Sequence, residues 1–129
     1  MQDTLGNAAG LLGRVMLAAI FVQSGWGKVW GYESTAKYME SRGVPGMLLP
    51  LVIVVELVGG LMVAAGWQTR LAAIALAGFT LLAGLLFHFQ PADQGQMIHF
   101  MKNIAITGGF LVLAMAGAGG WSLDGRRGA

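Results

Sequence analysis

The chain has 129 residues, 56% of them hydrophobic and only 11% charged, with a net charge of +2 and no cysteine. A soluble domain carries about 25% charged residues to keep its surface wetted, so lipid is the expected solvent for much of this surface, and the length allows one domain. Without thiols there is no disulfide framework, thiolate metal site or thiol catalysis from this chain alone, and the dispersed cations make no basic stripe for nucleic acid.

A membrane-crossing helix needs about 20 mostly apolar residues. The first such run covers residues 8–30, is interrupted at Arg14 and carries Lys28 near its far end. Arg14 lies where a signal peptide would be apolar, and no small-x-small site follows Trp26 or Trp30. The run is therefore read as a retained span. Ser34 then offers an N-cap for two helical turns over residues 35–42, which Gly43 ends before Val44-Pro45-Gly46. Tyr32, Ala36 and Met39 share one side of that short helix, as suits the membrane interface. The second span covers residues 48–67, with Pro50 at its start and one interruption at Glu56. After a tight turn over residues 66–70, the third covers residues 71–89 and is closed by Pro91; the fourth covers residues 98–118. The predicted fold is all-α, an antiparallel up-down bundle of four transmembrane helices with a short interfacial helix in the first loop. Arg70, Arg126 and Arg127 fall on the side of the N-terminus, against Lys37 and Arg42 on the other. The excess of cations places both termini in the cytoplasm. Trp26, Trp30, Tyr32, Trp67 and Trp121 fall near span ends, as an aromatic belt does.

The informative residues are those that lipid rejects: Arg14, Gln23, Ser24, Lys28, Glu56, His88, Lys102 and Asn103. An ionisable group at the bilayer centre costs about 2.5–3.5 kcal/mol even on the lenient scale, so such groups are expected to face the bundle interior and find partners. At 1.5 Å per residue, Gln23, Ser24, Glu56, Lys102 and Asn103 all fall about 6–12 Å below the edge that carries the first loop, here called outer. Lys28 and His88 lie close to that edge. Arg14 lies about 9 Å from the inner edge, within a turn or so of Glu56. The expectation is one polar layer in the outer half, with Arg14 beneath it and paired to Glu56. Each residue also has a plainer reading. Glu56 with Arg14 suits a structural ion pair that fixes register, the lysines can snorkel to headgroups, His88 can be an interfacial histidine, and Asn103 can be interhelical glue.

Metal binding is not expected: Glu56, His88 and His99 have no ligand spacing, and two lysines would repel a cation. No nucleophile motif, phosphate loop or dinucleotide fingerprint occurs.

The ordered set Gly13-Arg14, Gln23-Ser24-Gly25-Trp26-Gly27-Lys28, Tyr38-Met39, Gly43-Val44-Pro45, Glu56-Leu57-Val58-Gly59-Gly60, Gly66-Trp67-Gln68-Thr69-Arg70, Phe87-His88 and Met101-Lys102-Asn103 resembles the DoxX family of small bacterial membrane proteins, in particular its YqjF-like branch. The resemblance implies a four-span inner-membrane protein. Some members serve as the small membrane subunit of a thiosulfate:quinone oxidoreductase, and others belong to oxidative-stress assemblies. A branch tied to disulfide chemistry fits poorly with a chain that has no cysteine.

Three functions then compete. In the first, the chain is a membrane subunit of a quinone-linked oxidoreductase system. Glu56 and His88 are the candidate catalytic residues, with Arg14, Gln23, Ser24, Lys28, Lys102 and Asn103 as candidate ligand-binding residues, quinone as cofactor and a soluble redox partner supplying electrons. In the second it is a small permease or an anion- or proton-conducting module, able to assemble as a homo-oligomer. In the third it is a non-catalytic assembly subunit whose polar groups only specify helix packing.

Overall fold

The computed structural model describes residues 2–128; the side chains of residues 2–3 and 127–128, including the Arg127 counted for orientation, lie outside the described part. Among the described residues, four helices are long and apolar enough to cross a membrane, at Thr4–Trp30, Gly46–Ala65, Thr69–His88 and Gln94–Ala116. They belong to α1 (Gln2–Trp30), α3 (Leu49–Ala65, entered by a 3₁₀ turn at Gly46–Leu48), α4 (Thr69–Ala83, continued by a π-turn at Gly84–His88) and α5 (Gln94–Ala116). Two short helices complete the chain, α2 (Tyr32–Ser41) in the first loop and α6 (Leu123–Gly128) at the end. Met16, Val54, Leu61, Leu71, Leu82 and Val112 point outward from the spans. That is a liability in water and the correct arrangement in hydrocarbon. Trp26 and Trp30 stand exposed at one end of the bundle and Trp67 and Trp121 at the other, where amphipathic rings meet headgroups.

Turn chemistry sets the ends. Gly66, at φ +72°, stops α3 with a paired closure in which Trp67 N–H donates to Met62 O at 2.9 Å and Gly66 N–H to Val63 O at 3.1 Å. Gly43 ends α2 in the same way, as expected, with Val44 N–H on Met39 O at 2.9 Å. The start of α2 differs from the sequence reading. Gly31 is its N-cap, and Ser34 sits inside the first turn, its hydroxyl donating back to Gly31 O at 3.1 Å. A serine hydroxyl is as well satisfied by the preceding carbonyl as by a helix N–H, so composition alone does not fix the first turn. At α5 the Asp93 carboxylate accepts from Gln96 N–H at 3.1 Å, an ordinary N-cap. The N-terminus of α4 is instead capped from far along the chain: Asp124 of α6 accepts from Gln68 and Thr69 N–H, both at 2.8 Å.

Small residues decide how closely α1 and α3 approach. A Cβ on Gly25 would stand 3.0 Å from Leu57 N and 3.1 Å from Leu57 Cβ, and one on Gly60 would stand 3.3 Å from Val22 N. The two helices are therefore antiparallel, with Gly25 level with Leu57 and Val22 level with Gly60. Gly25→Ala pushes a methyl against backbone that cannot turn aside. It is expected to lower stability by about 1–3 kcal/mol, read as a lower unfolding midpoint in mild detergent; an unchanged midpoint would show the helices are looser than this. Ala18, Phe21, Val63, Ala72, Ala73, Leu76, Ala77 and Phe110 pack as an apolar core toward the inner half, locked by an edge-on Phe21–Phe110 pair with ring centroids 5.4 Å apart. The outer half is not filled this way.

Candidate functional site

Above that core, all four spans and α2 enclose a cavity of about 480 Å³. Its walls are mostly apolar, with Phe21, Val52, Val55, Phe79 and Ile106 among them. The polar exceptions are Ser24 and Lys28 from α1, Thr35 and Tyr38 from α2, Glu56 from α3, Thr80 and His88 from α4 and its π-turn, and His99 and Asn103 from α5. Of the eight residues singled out in the sequence, five thus line one cavity: Ser24, Lys28, Glu56, His88 and Asn103. Three do not.

Glu56 is 5% exposed, and its Oε1 lies 2.6 Å from Lys28 Nζ. The partner is not Arg14, which corrects the sequence expectation. Gly25 against Leu57 sets Glu56 level with about residue 26 of α1, so Arg14 lies twelve residues, or about 18 Å, further along that helix. The sequence estimate matched span ends to one another, and an offset of a few residues between neighbours was enough to mislead it. Lys28, only about half a turn beyond the level of Glu56, reaches it easily and does not snorkel outward. Arg14 is 1% exposed and works at the inner end. Its Nη1 donates to Val63 O at 3.2 Å and Ala64 O at 2.9 Å, and its Nη2 to Trp121 O. A guanidinium on the last carbonyls of α3 satisfies acceptors the helix leaves open and complements the helix dipole. Gln23 and Lys102 are exposed on the outer surfaces of α1 and α5 and do not line the cavity.

His88 reaches the cavity through a local irregularity. In an uninterrupted α-helix it would stand about 80° from Thr80 and share a face with Leu81. The π-turn at Gly84–His88 takes up one extra residue and turns the end of the helix back by about 100°. His88 then stands close to the line of Thr80 and Gly84, while Leu81 is exposed. Gln96 Oε1 lies 2.7 Å from His88 Nδ1. An amide oxygen only accepts, so Nδ1 is the donor in this pair, and in the neutral ring Nε2 is then the acceptor. His99 packs beside it, with ring centroids 5.2 Å apart, and among the described residues no group of three metal-ligating side chains forms. Asn103 Nδ2 donates to Thr80 O at 3.1 Å, joining α5 to α4 one turn below the π-turn.

Four polar lining residues were not selected in the sequence. Thr35 and Tyr38 required knowing that α2 folds over the cavity mouth, where Tyr38 stacks on Phe87 at 5.5 Å. Thr80 is tolerated in lipid and so raises no alarm in a scan for rejected groups. His99 had an available signal, since it stands four residues before Asn103 and shares its helix face.

A family model for DoxX matches residues 9–89. The chain belongs to the DoxX family. It is 48% identical over 114 residues to inner membrane protein YqjF of Escherichia coli K12, covering 88% of each chain. It is 34% identical over 123 residues to inner membrane protein YphA of the same organism, covering 90% of this chain and 88% of the relative. A Bacillus subtilis protein named "Putative oxidoreductase CatD" is 33% identical over 76 residues, 59% of this chain and 56% of that one. No solved structure matches the chain. The DoxX match runs from α1 through the π-turn and so covers Ser24, Lys28, Glu56, Thr80 and His88, while the α5 wall lies beyond it.

Proposed function

We propose that this DoxX-family chain is the membrane subunit of a quinone-linked oxidoreductase system in the bacterial inner membrane, with both termini cytoplasmic and the cavity toward the opposite face. The observation that carries the reading is the Lys28–Glu56 ion pair set into the wall of an otherwise apolar cavity of about 480 Å³. A pocket of that size and character fits a lipophilic headgroup held by a few polar contacts. The relative named as an oxidoreductase lends the reaction class some support. When bound, a quinone supplies a carrier for two electrons and two protons. Lys28 keeps ammonium protons beyond the one facing Glu56 and donates them to an acceptor oxygen. Glu56 and the His88 imidazole hold protons at the cavity wall. Ser24 and Asn103 orient, and the apolar residues exclude water. Electrons come from a soluble partner that carries the redox centre.

An anion-conducting module needs unpaired cations facing its chamber. Arg14 and Lys102 stand outside it and Lys28 is paired, which removes the electrostatic argument for it. Equilibrium binding of decylubiquinone to the purified protein, followed by tryptophan fluorescence, tests the proposal. Binding is expected, and Glu56→Gln and His88→Ala are each expected to weaken it about three- to tenfold, since a hydrogen bond is worth about 0.5–1.5 kcal/mol net. Absence of binding, or wild-type affinity in both variants, overturns it.

A further inference from the structure

Thr80 is 3% exposed, yet its hydroxyl has no hydrogen-bond partner among the described residues. A threonine inside a helix ordinarily returns that hydroxyl to the carbonyl four residues back. Thr107, on the facing helix, does so, donating to Asn103 O at 2.7 Å. Thr80 does not, although it lies in the hydrocarbon region, where an unsatisfied polar group is costly. Its own carbonyl is occupied by Asn103 Nδ2. Thr80 belongs to the cavity lining, on the wall built by α4 and α5, whereas Lys28 and Glu56 stand on the wall built by α1 and α3.

We infer that the Thr80 hydroxyl is a hydrogen-bond donor to the ligand from the α4–α5 wall, complementing Lys28 by meeting an acceptor oxygen on the ligand edge away from it. The site then selects a lipophilic ring with an acceptor at each of two opposite edges, as a para-dione has, over a hydrocarbon of the same shape. This rests on the proposed function and adds to it a residue and a selectivity. Such a site discriminates strongly because a ligand without the oxygen leaves a buried donor unpaired.

The test compares menadione with 2-methylnaphthalene, which has the same ring system without the two oxygens. Binding is measured by tryptophan fluorescence, and the unfolding midpoint is taken with and without ligand. Wild type is expected to prefer menadione. Thr80→Val is expected to weaken menadione binding about three- to tenfold and to leave 2-methylnaphthalene unchanged. It should also leave the ligand-free midpoint unchanged or raised, because the hydroxyl it removes is unpartnered. Thr80→Ser should restore the preference. Wild-type affinity for menadione in Thr80→Val overturns the inference while the proposed function stands. A ligand-free midpoint that falls with Thr80→Val overturns it too, by showing that the hydroxyl is structural. Failure of wild type to bind menadione removes the proposed function and this inference together.

Discussion

Lys28→Met is expected to destabilise the protein by about 3–5 kcal/mol, more than Glu56→Gln does, and the double variant Lys28→Met/Glu56→Leu is expected to recover most of that loss. The reason is an asymmetry in burial. The Glu56 side chain is 7% exposed and that of Lys28 is 27% exposed. Without its partner, the lysine can still carry its charge toward the headgroups on a flexible stem. The carboxylate has no such escape and is left in a low-dielectric wall. Replacing both ends by apolar groups of similar size removes the desolvation cost along with the attraction. Reversible unfolding of the four proteins in mild detergent supplies the comparison. The double variant should fold but have lost decylubiquinone binding, which separates a working pair from a packing device. If it is no more stable than Lys28→Met alone, the two side chains do not meet.

The second large effect belongs to Arg14. Arg14→Met is expected to cost about 3–5 kcal/mol, since it removes hydrogen bonds from a charged donor to three buried or part-buried carbonyls. Gly66 and the turn to α4 form around the same guanidinium, with Asp124 N–H donating to Gly66 O at 2.8 Å, so the loss should loosen the whole inner end. Arg14→Lys should recover less than half of it, because one ammonium cannot span carbonyls on α3 and on the segment before α6 as a planar fork does. Either variant that still folds at low temperature should bind decylubiquinone as wild type does. A stable Arg14→Lys protein with impaired binding would return Arg14 to the site.

Legibility in the residues differed from feature to feature. The four spans followed from apolar run length and are present within a few residues, because lipid leaves a backbone no alternative to helix. Gly43 and Gly66 were legible as stops because left-handed backbone at a helix end favours glycine. That Glu56 would need a cation was equally legible; which cation was not. The choice between Lys28 and Arg14 depends on the sliding register of α1 against α3, and that is set by where Gly25 and Gly60 let the backbones touch, a fact of two helices together. His88 was found by its chemistry, yet its orientation came from a π-turn that no helical periodicity announces.

Transfer free energies summed along one chain are enough to fix the solvent, the number of crossings and the short set of side chains too expensive to leave in hydrocarbon. Which of them meet is a property of the folded bundle. It put Ser24, Lys28, Glu56, His88 and Asn103 around one cavity, sent Arg14 to the far end of α3, and left Gln23 and Lys102 on the outside. Contact between helices depends on offset and rotation, and an error of a few residues or of one extra residue in a turn moves a side chain by a good part of its own length or to another face.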